Sequence, residues 1–191
     1  AISEKGETQA KSESSQPLSI WVEPTLVPED NPLAGVNGVN NAILVEGNPI
    51  GQVMFFGPGA GSGPTASAVV ADILNIAGIQ SISENKNFNL DPLLSAKSWR
   101  RCHVAEKKEI TKKNYIRLIA EDTPGVIGEI GTIFGKKKIS IESIVQFDAS
   151  NNEAEIVVIT HKIKLGQLEK ALLEIKELPQ VKSIAATMGC L

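Results

Sequence analysis

Three groups of residues in this chain have the types and spacing to do chemistry. The first is the run Gly-Pro-Gly-Ala-Gly-Ser-Gly-Pro-Thr from Gly57 to Thr65. Gly59, Gly61 and Gly63 leave the backbone bare just ahead of an apolar stretch with helical spacing. Exposed N–H groups at the positive end of a helix suit a phosphate or pyrophosphate. The letters from Gly61 to Ala66 satisfy GxGxxA, but no second strand closed by an acidic residue follows, so this is not a full dinucleotide fingerprint. A nucleotide P-loop is excluded because no Gly-Lys-Ser/Thr occurs here. On spacing alone, a tight structural turn and an anion cradle both stay open.

The second group is Asp122-Thr123-Pro124-Gly125-Val126-Ile127, which opens an apolar helical pattern. Thr123 or Asp122 is expected to cap that helix, with Pro124 just inside it. Gly125 lets a ligand approach the backbone closely, and the free amides could hold a carboxylate. A helix cap with no ligand is the plainer alternative. The third group is Glu142, Gln146, Asp148, Glu153 and Glu155, spread over two strand patterns. Paired carboxylates can do acid–base work, but alternation along strands points to a solvent or interface face. His161, beside Lys162, reads as a surface histidine, and Ser67, Asp72 and His103 lack any spacing that supports a triad.

These groups need elements to hold them. Residues 3–16 are almost wholly polar and read as a loop or tail. LSIWVEPTLVP, bounded by Pro17 and Pro28, suggests a strand, and NAILVEG and IGQVMFFG suggest a hairpin turning at Gly47-Asn48-Pro49. Ala66, Val69, Val70, Ile73, Leu74 and Ala77 repeat at helical spacing, with Pro64 at the first position and Gly78 at the stop. Residues 79–113 read as a connector with one short strand, its paired basic residues a solvated surface. From Asn114 the pattern runs strand, helix, strand, strand, helix, strand. The helical faces carry Val126, Ile127, Ile130, Ile133 and Phe134, then Leu165, Leu168, Leu172, Ile175 and Leu178. The strand between them is expected to align Ile139, Ile141, Val145 and Phe147 on one face. This order is the ferredoxin-like split βαβ arrangement. The fold class is therefore α+β, with regions 1–78, 79–113 and 114–191.

Composition narrows the function classes. Of 191 residues, 42% are hydrophobic but only 4% aromatic, so aliphatic side chains must build the core. A net charge of −3 argues against a dominant electrostatic nucleic-acid binder. No apolar run is long enough to span a bilayer. The two cysteines, Cys102 and Cys190, lie far apart and only two histidines are present, so neither a zinc site nor a disulfide scaffold is expected. Reduced thiols and a polar start without a secretory pattern suggest a cytoplasmic protein, either processed or a piece of something longer.

NPLAGVNGVNNAILVEGNPIGQVMFFGPGAGSGPTASAVVADIL resembles the end of the catalytic region of homoserine dehydrogenases, the likeness running from near Ile20 to Ala77. YIRLIAEDTPGVIGEIGTIFGKKKISIESIVQFD, with AEIVVITH after it, resembles the ACT domain that follows in bacterial members. The two in this order make the likeness specific. It implies a partial substrate-domain sheet with its helix, then a ferredoxin-like ACT domain. It further implies NAD(P)H-dependent reduction of L-aspartate 4-semialdehyde to L-homoserine, on the route to threonine and methionine. Gly61 and Thr65, with Gly59 and Ala60 beside them, would contact the cofactor. Threonine or another small amino acid would bind at Asp122, Pro124, Gly125, Val126, Ile127 and Gln146 for feedback control. Self-association through the ACT and dimerisation strands is implied, with no nucleic acid, membrane or metal.

The same likeness implies that the dinucleotide-binding domain and the catalytic residues lie upstream of residue 1. No catalytic residue is then carried over, and the chain alone should be inactive. Val69, Val70 and Ile73 should be left exposed. Three departures stand out: Asn31 where the family usually has His before Pro-Leu-Ala, an enlarged loop at 6–17, and the ending Met188-Gly189-Cys190-Leu191. The alternative is a stand-alone amino-acid-binding ACT module that acts on a partner enzyme.

Overall fold

A computed structural model describes residues 2–5, 17–83, 102–148 and 152–191, without the side chains of 2–5, 82–83 and 148. In chain order the strands and helices are β1 (Ile2–Lys5), β2 (Pro17–Trp21), β3 (Thr25–Leu26), β4 (Asn40–Gly47), β5 (Gly51–Pro58) and α1 (Ser62–Ser83). There follow β6 (His103–Val104), β7 (Thr111–Glu121), α2 (Val126–Lys136), β8 (Ile141–Asp148), β9 (Glu153–Thr160), β10 (Ile163–Lys164), α3 (Leu165–Lys176) and β11 (Val181–Cys190). They fall into two compact units, residues 1–26 with 102–191, and residues 27–101.

The core of the first unit follows from strict alternation. In β7, Ile116, Leu118 and Ala120 are buried on one face; in β9, Ala154, Ile156 and Val158 are. Ile130 and Phe134 of α2 cover that face together with Leu168, Ala171 and Ile175 of α3. Fully burying an aliphatic or Phe side chain contributes about 1.5–3 kcal/mol, so this cluster dominates the unit's stability. The central strand order is β11-β7-β9-β8, antiparallel throughout. With α2 and α3 on one face this is the ferredoxin-like arrangement the periodicity predicts.

Several local expectations differ from what is found. Residues 3–5, expected in a polar tail, join Ile2 in β1 against β2, with Ile2 opposite Trp21. β2 in turn pairs in parallel with β6. Residues 6–16 lie outside the described residues, as do 84–101 and 149–151. β8 does not align Ile139, Ile141, Val145 and Phe147. A register shift between Ile141 and Ser143 puts Ile144 toward the core and leaves Val145 and Phe147 exposed. Ile127 also sits outside the core, 38% exposed. The ferredoxin-like sheet is extended at two places. β10 pairs with the start of β7, and β3 lies parallel to β11, with Leu191 N donating to Leu26 O at 3.0 Å.

The second unit holds a 3-10 turn, Pro32–Gly35, then the β4–β5 hairpin and α1. Asn31 caps the turn, its side-chain oxygen accepting from Leu33 N at 2.9 Å. That gives Asn31 a local role. The hairpin turns at residues 48–50, as the Gly-Asn-Pro signal predicts. α1 continues past Gly78 to Ser83, since one interior glycine costs a helix only about 1 kcal/mol. None of residues 27–81 is buried. Among the described residues Val69, Val70 and Ile73 are all more than half exposed, as the resemblance implies.

Candidate functional site

The turn after β7 closes around a hollow of about 440 Å³. Asp122, Pro124, Gly125, Val126, Ile127 and Gln146, singled out from the sequence, all line it. Gln146 reaches it from β8, where it stands opposite Ile156 of β9. Its side-chain amide donates to Asp122 Oδ1 at 3.0 Å across the hollow. The backbone N–H of Asp122 donates to Asn152 O at 3.1 Å, which holds the turn to the start of β9. Sequence reasoning missed Glu121, Gly128 and Ile156, which also line the hollow. Ile156 could have been found from the strand register, because it pairs with Gln146.

The helix start differs from the expected cap. Neither Thr123 nor Asp122 caps α2, and Pro124 lies outside it. Gly125 is the N-cap, in the left-handed region at φ 98°, with no side-chain cap bond. The first helical bond is Glu129 N to Gly125 O, 3.0 Å. The amides of Val126, Ile127 and Gly128 therefore have no acceptor within the helix. A side chain at 125 would be strained by that φ, although open space surrounds the position. The hollow thus combines amide donors at a positive helix end with the acceptors of Asp122 and the Gln146 side chain. Chemically, such a set can receive a carboxylate at the amides and an ammonium at Asp122.

In the glycine loop, Gly61 has φ 120° and ends the turn before α1. Thr65 closes it, its N–H and hydroxyl donating to Gly61 O at 3.2 and 2.8 Å. Gly59 N donates to Val39 O at 3.2 Å, and any side chain at Gly59 would run into the Asn41 side chain. Gly57 and Gly63 have open space where a Cβ would stand. Ala60 lies between these glycines, in the bend ahead of α1. A bare backbone at the head of a 22-residue helix fits a phosphate-bearing cofactor. The Thr65 hydroxyl donates its proton inside the loop, which leaves that oxygen as an acceptor.

The third group does not assemble into paired carboxylates. Glu142 is held by Lys113 at 2.6 Å, Glu155 by Arg117 at 2.6 Å and Glu153 by Lys182 at 2.9 Å. The hydrogen bond from Lys113 pulls the Glu142 carboxyl below its ordinary range, and that from Arg117 does the same for Glu155. His161 Nδ1 lies 3.6 Å from Glu142. The side chain of Asp148 is outside the described residues.

Comparison with known proteins bears on both halves. The homoserine dehydrogenase family profile matches residues 2–74, and the ACT domain profile matches 114–180. A homoserine dehydrogenase of Synechocystis is 48% identical over 179 residues, covering 94% of this chain and 41% of that protein. One from Neisseria gonorrhoeae is 35% identical, covering 86% of this chain and 38% of its own length. The crystal structure of a homoserine dehydrogenase from Thiobacillus denitrificans superposes with a TM-score of 0.81 at 28% identity, over 99% of this chain and 41% of that one. The chain thus spans about 40% of the length of the relatives it matches.

Proposed function

We propose that the chain is the C-terminal portion of a homoserine dehydrogenase, carrying an ACT domain, and that it completes an enzyme reducing L-aspartate 4-semialdehyde to L-homoserine. The observation that carries this reading is the order of the two family matches along one chain, with a relative 48% identical across nearly all of it. The cofactor, NAD(P)H, supplies the hydride. In this reading Gly59, Ala60, Gly61 and Thr65 lie against it, and the loop presents bare backbone and the head of α1 to its phosphates. The dinucleotide-binding domain and catalytic residues belong to the remainder of the enzyme. The exposed apolar surface of α1 and the hairpin is the surface that the remainder, or a second copy, covers. Work in the cytoplasm accords with this chemistry. Among the described residues, no helix is long and apolar enough to cross a membrane.

The ACT hollow is the regulatory site of this reading, and its ligand is threonine or a similarly small amino acid. Support comes from the six residues gathered around one hollow and from the donor and acceptor set there. Two measurements test the reading. This chain, given aspartate semialdehyde and NADPH, should show no turnover; turnover would overturn the division of labour. Thermal unfolding with threonine should shift upward. A ligand at 100 times its dissociation constant stabilises by about 2.7 kcal/mol, or roughly 5–10 °C for a chain of this size. Other amino acids serve as controls, and no shift with any of them would remove the regulatory assignment.

A further inference from the structure

One cation in the first unit is almost entirely out of water, and a distant part of the chain supplies its counter-charge. The side chain of Lys112, at the start of β7, is 7% exposed. Its ammonium forms an ion pair with the carboxylate of Glu23, 89 positions earlier, and lies 5.8 Å from the centre of the Trp21 ring. A buried ammonium is costly without a partner and tolerable with one. Glu23 stands in the short stretch between β2 and β3.

The seat for that carboxylate is built by the sheet. Gly189 of β11 is buried, and a Cβ there would collide with the Glu23 carboxylate and stand 3.3 Å from Lys112 Nζ. A hollow of about 160 Å³ adjoins it, lined by Asn114, Leu168 and Leu172 as well as by the ion pair. Immediately beyond Glu23, β3 pairs in parallel with β11, Gly189 opposite Thr25 and Cys190 opposite Leu26. The chain then leaves at Val27 for the second unit.

We propose that Glu23 is a latch. Its carboxylate seats in a notch formed by Lys112 and Gly189, and this engagement holds residues 22–26 on the ACT sheet as an added edge strand. The ACT unit thereby fixes the point at which the chain departs for residues 27–101. The notch is a receptor for one carboxylate. It takes a free one of formate or acetate size when the Glu23 side chain is cut away. None of this depends on an amino acid binding near Gly125.

Hydrogen exchange on the full chain, read by peptide mass, tests the latch. In Glu23→Ala, the backbone amides of 25–26 and 189–191 should exchange about tenfold faster, while those in the middle of β7 and β9 keep their rates. Formate at roughly tens of millimolar, the range expected for so small a ligand, should restore protection, and chloride at equal ionic strength should not. Gly189→Ala keeps both charges and fills only the seat, so it should open the same edge if Glu23→Ala fails to fold. Lys112→Met combined with Glu23→Ala should cost less than the two single changes summed, because no unpaired charge remains. Unchanged exchange at 25–26 and 189–191, or a rise shared equally by β7 and β9, overturns the latch. Loss of protection that formate and chloride leave alike overturns the notch.

Discussion

Ile156 and Ile73 are the same residue in opposite circumstances. Ile156, in β9, is fully buried beneath α2 and α3, whereas Ile73, in α1, is 58% exposed. The ferredoxin-like region meets its own apolar faces: two amphipathic helices lie on one side of an alternating sheet. The hairpin and α1 do not. Leu44 and Met54 pair across one face of the hairpin, and Ile43 and Phe55 across the other. α1 carries exposed Val69, Val70, Ile73, Leu74 and Ile76, with Asp72 its one charged residue. A helix apolar all round and a two-stranded ribbon apolar on both faces each leave surface that stability favours covering. Correct local structure and a closed core are separate achievements, and among the described residues one region shows both and the other only the first.

The sharpest way to break that comparison is truncation on each side of it. Phe134→Ala should cost about 3–5 kcal/mol, read as a lower denaturant midpoint for the cooperative transition. Ile73→Ala should cost no more than about 0.5 kcal/mol. A large penalty for Ile73→Ala would mean that α1 is covered in solution and that the contrast belongs to the isolated chain only. Within α2 the comparison can be drawn more finely. Gly125→Ala should cost about 1–2 kcal/mol, since its left-handed φ disfavours a Cβ, and should abolish any threonine-induced shift. Gly131→Ala, in the same helix with open space at its Cβ, should stabilise by about 0.5–1 kcal/mol. Equal effects from the two would remove the conformational role assigned to Gly125.

The smallest expected effect lies on the outer face of the sheet. Arg117 lowers the Glu155 carboxyl below its ordinary value of 4.5, and Lys113 does the same for Glu142. A carboxyl lowered on folding contributes stability above its unfolded value, and that contribution is lost as pH falls through the folded value. Arg117→Ala should therefore lower the melting temperature slightly at neutral pH, and the gap from the parent chain should close in acid below 4.5. These pairs are partly exposed, so the effect is small and fades with salt. A gap that widened in acid would show that Glu155 is not the partner that matters.

Much of this architecture was legible because its signals are local. Alternation in YIRLIAE and the helical spacing of Leu168 and Ile175 need only neighbouring residues, and those elements form where the pattern places them, although β7 begins at Thr111, inside the expected connector. The hollow was legible as a turn chemistry: a Pro-Gly step before an apolar helix marks a place where backbone is bare. Its cap was misread because Thr123 and Asp122 are good cap residues by type, while Gly125, two or three positions later, had already taken the left-handed turn. The face of β8 was misread because a register shift at Ile141 interrupts a simple alternation, and such a shift depends on β9 rather than on β8 itself.

What the sequence determined by itself is therefore the set of elements, the chemistry of the two glycine turns and the likeness to one enzyme family. Each of those is written in residues close together along the chain, where propensity and period act. Only the tertiary structure decided that β3 would extend the ACT sheet and that Glu23 would meet Lys112 over Gly189. Those outcomes turn on pairings between residues far apart in sequence. A strand edge, a buried charge or an apolar face acquires its role only when its partner arrives.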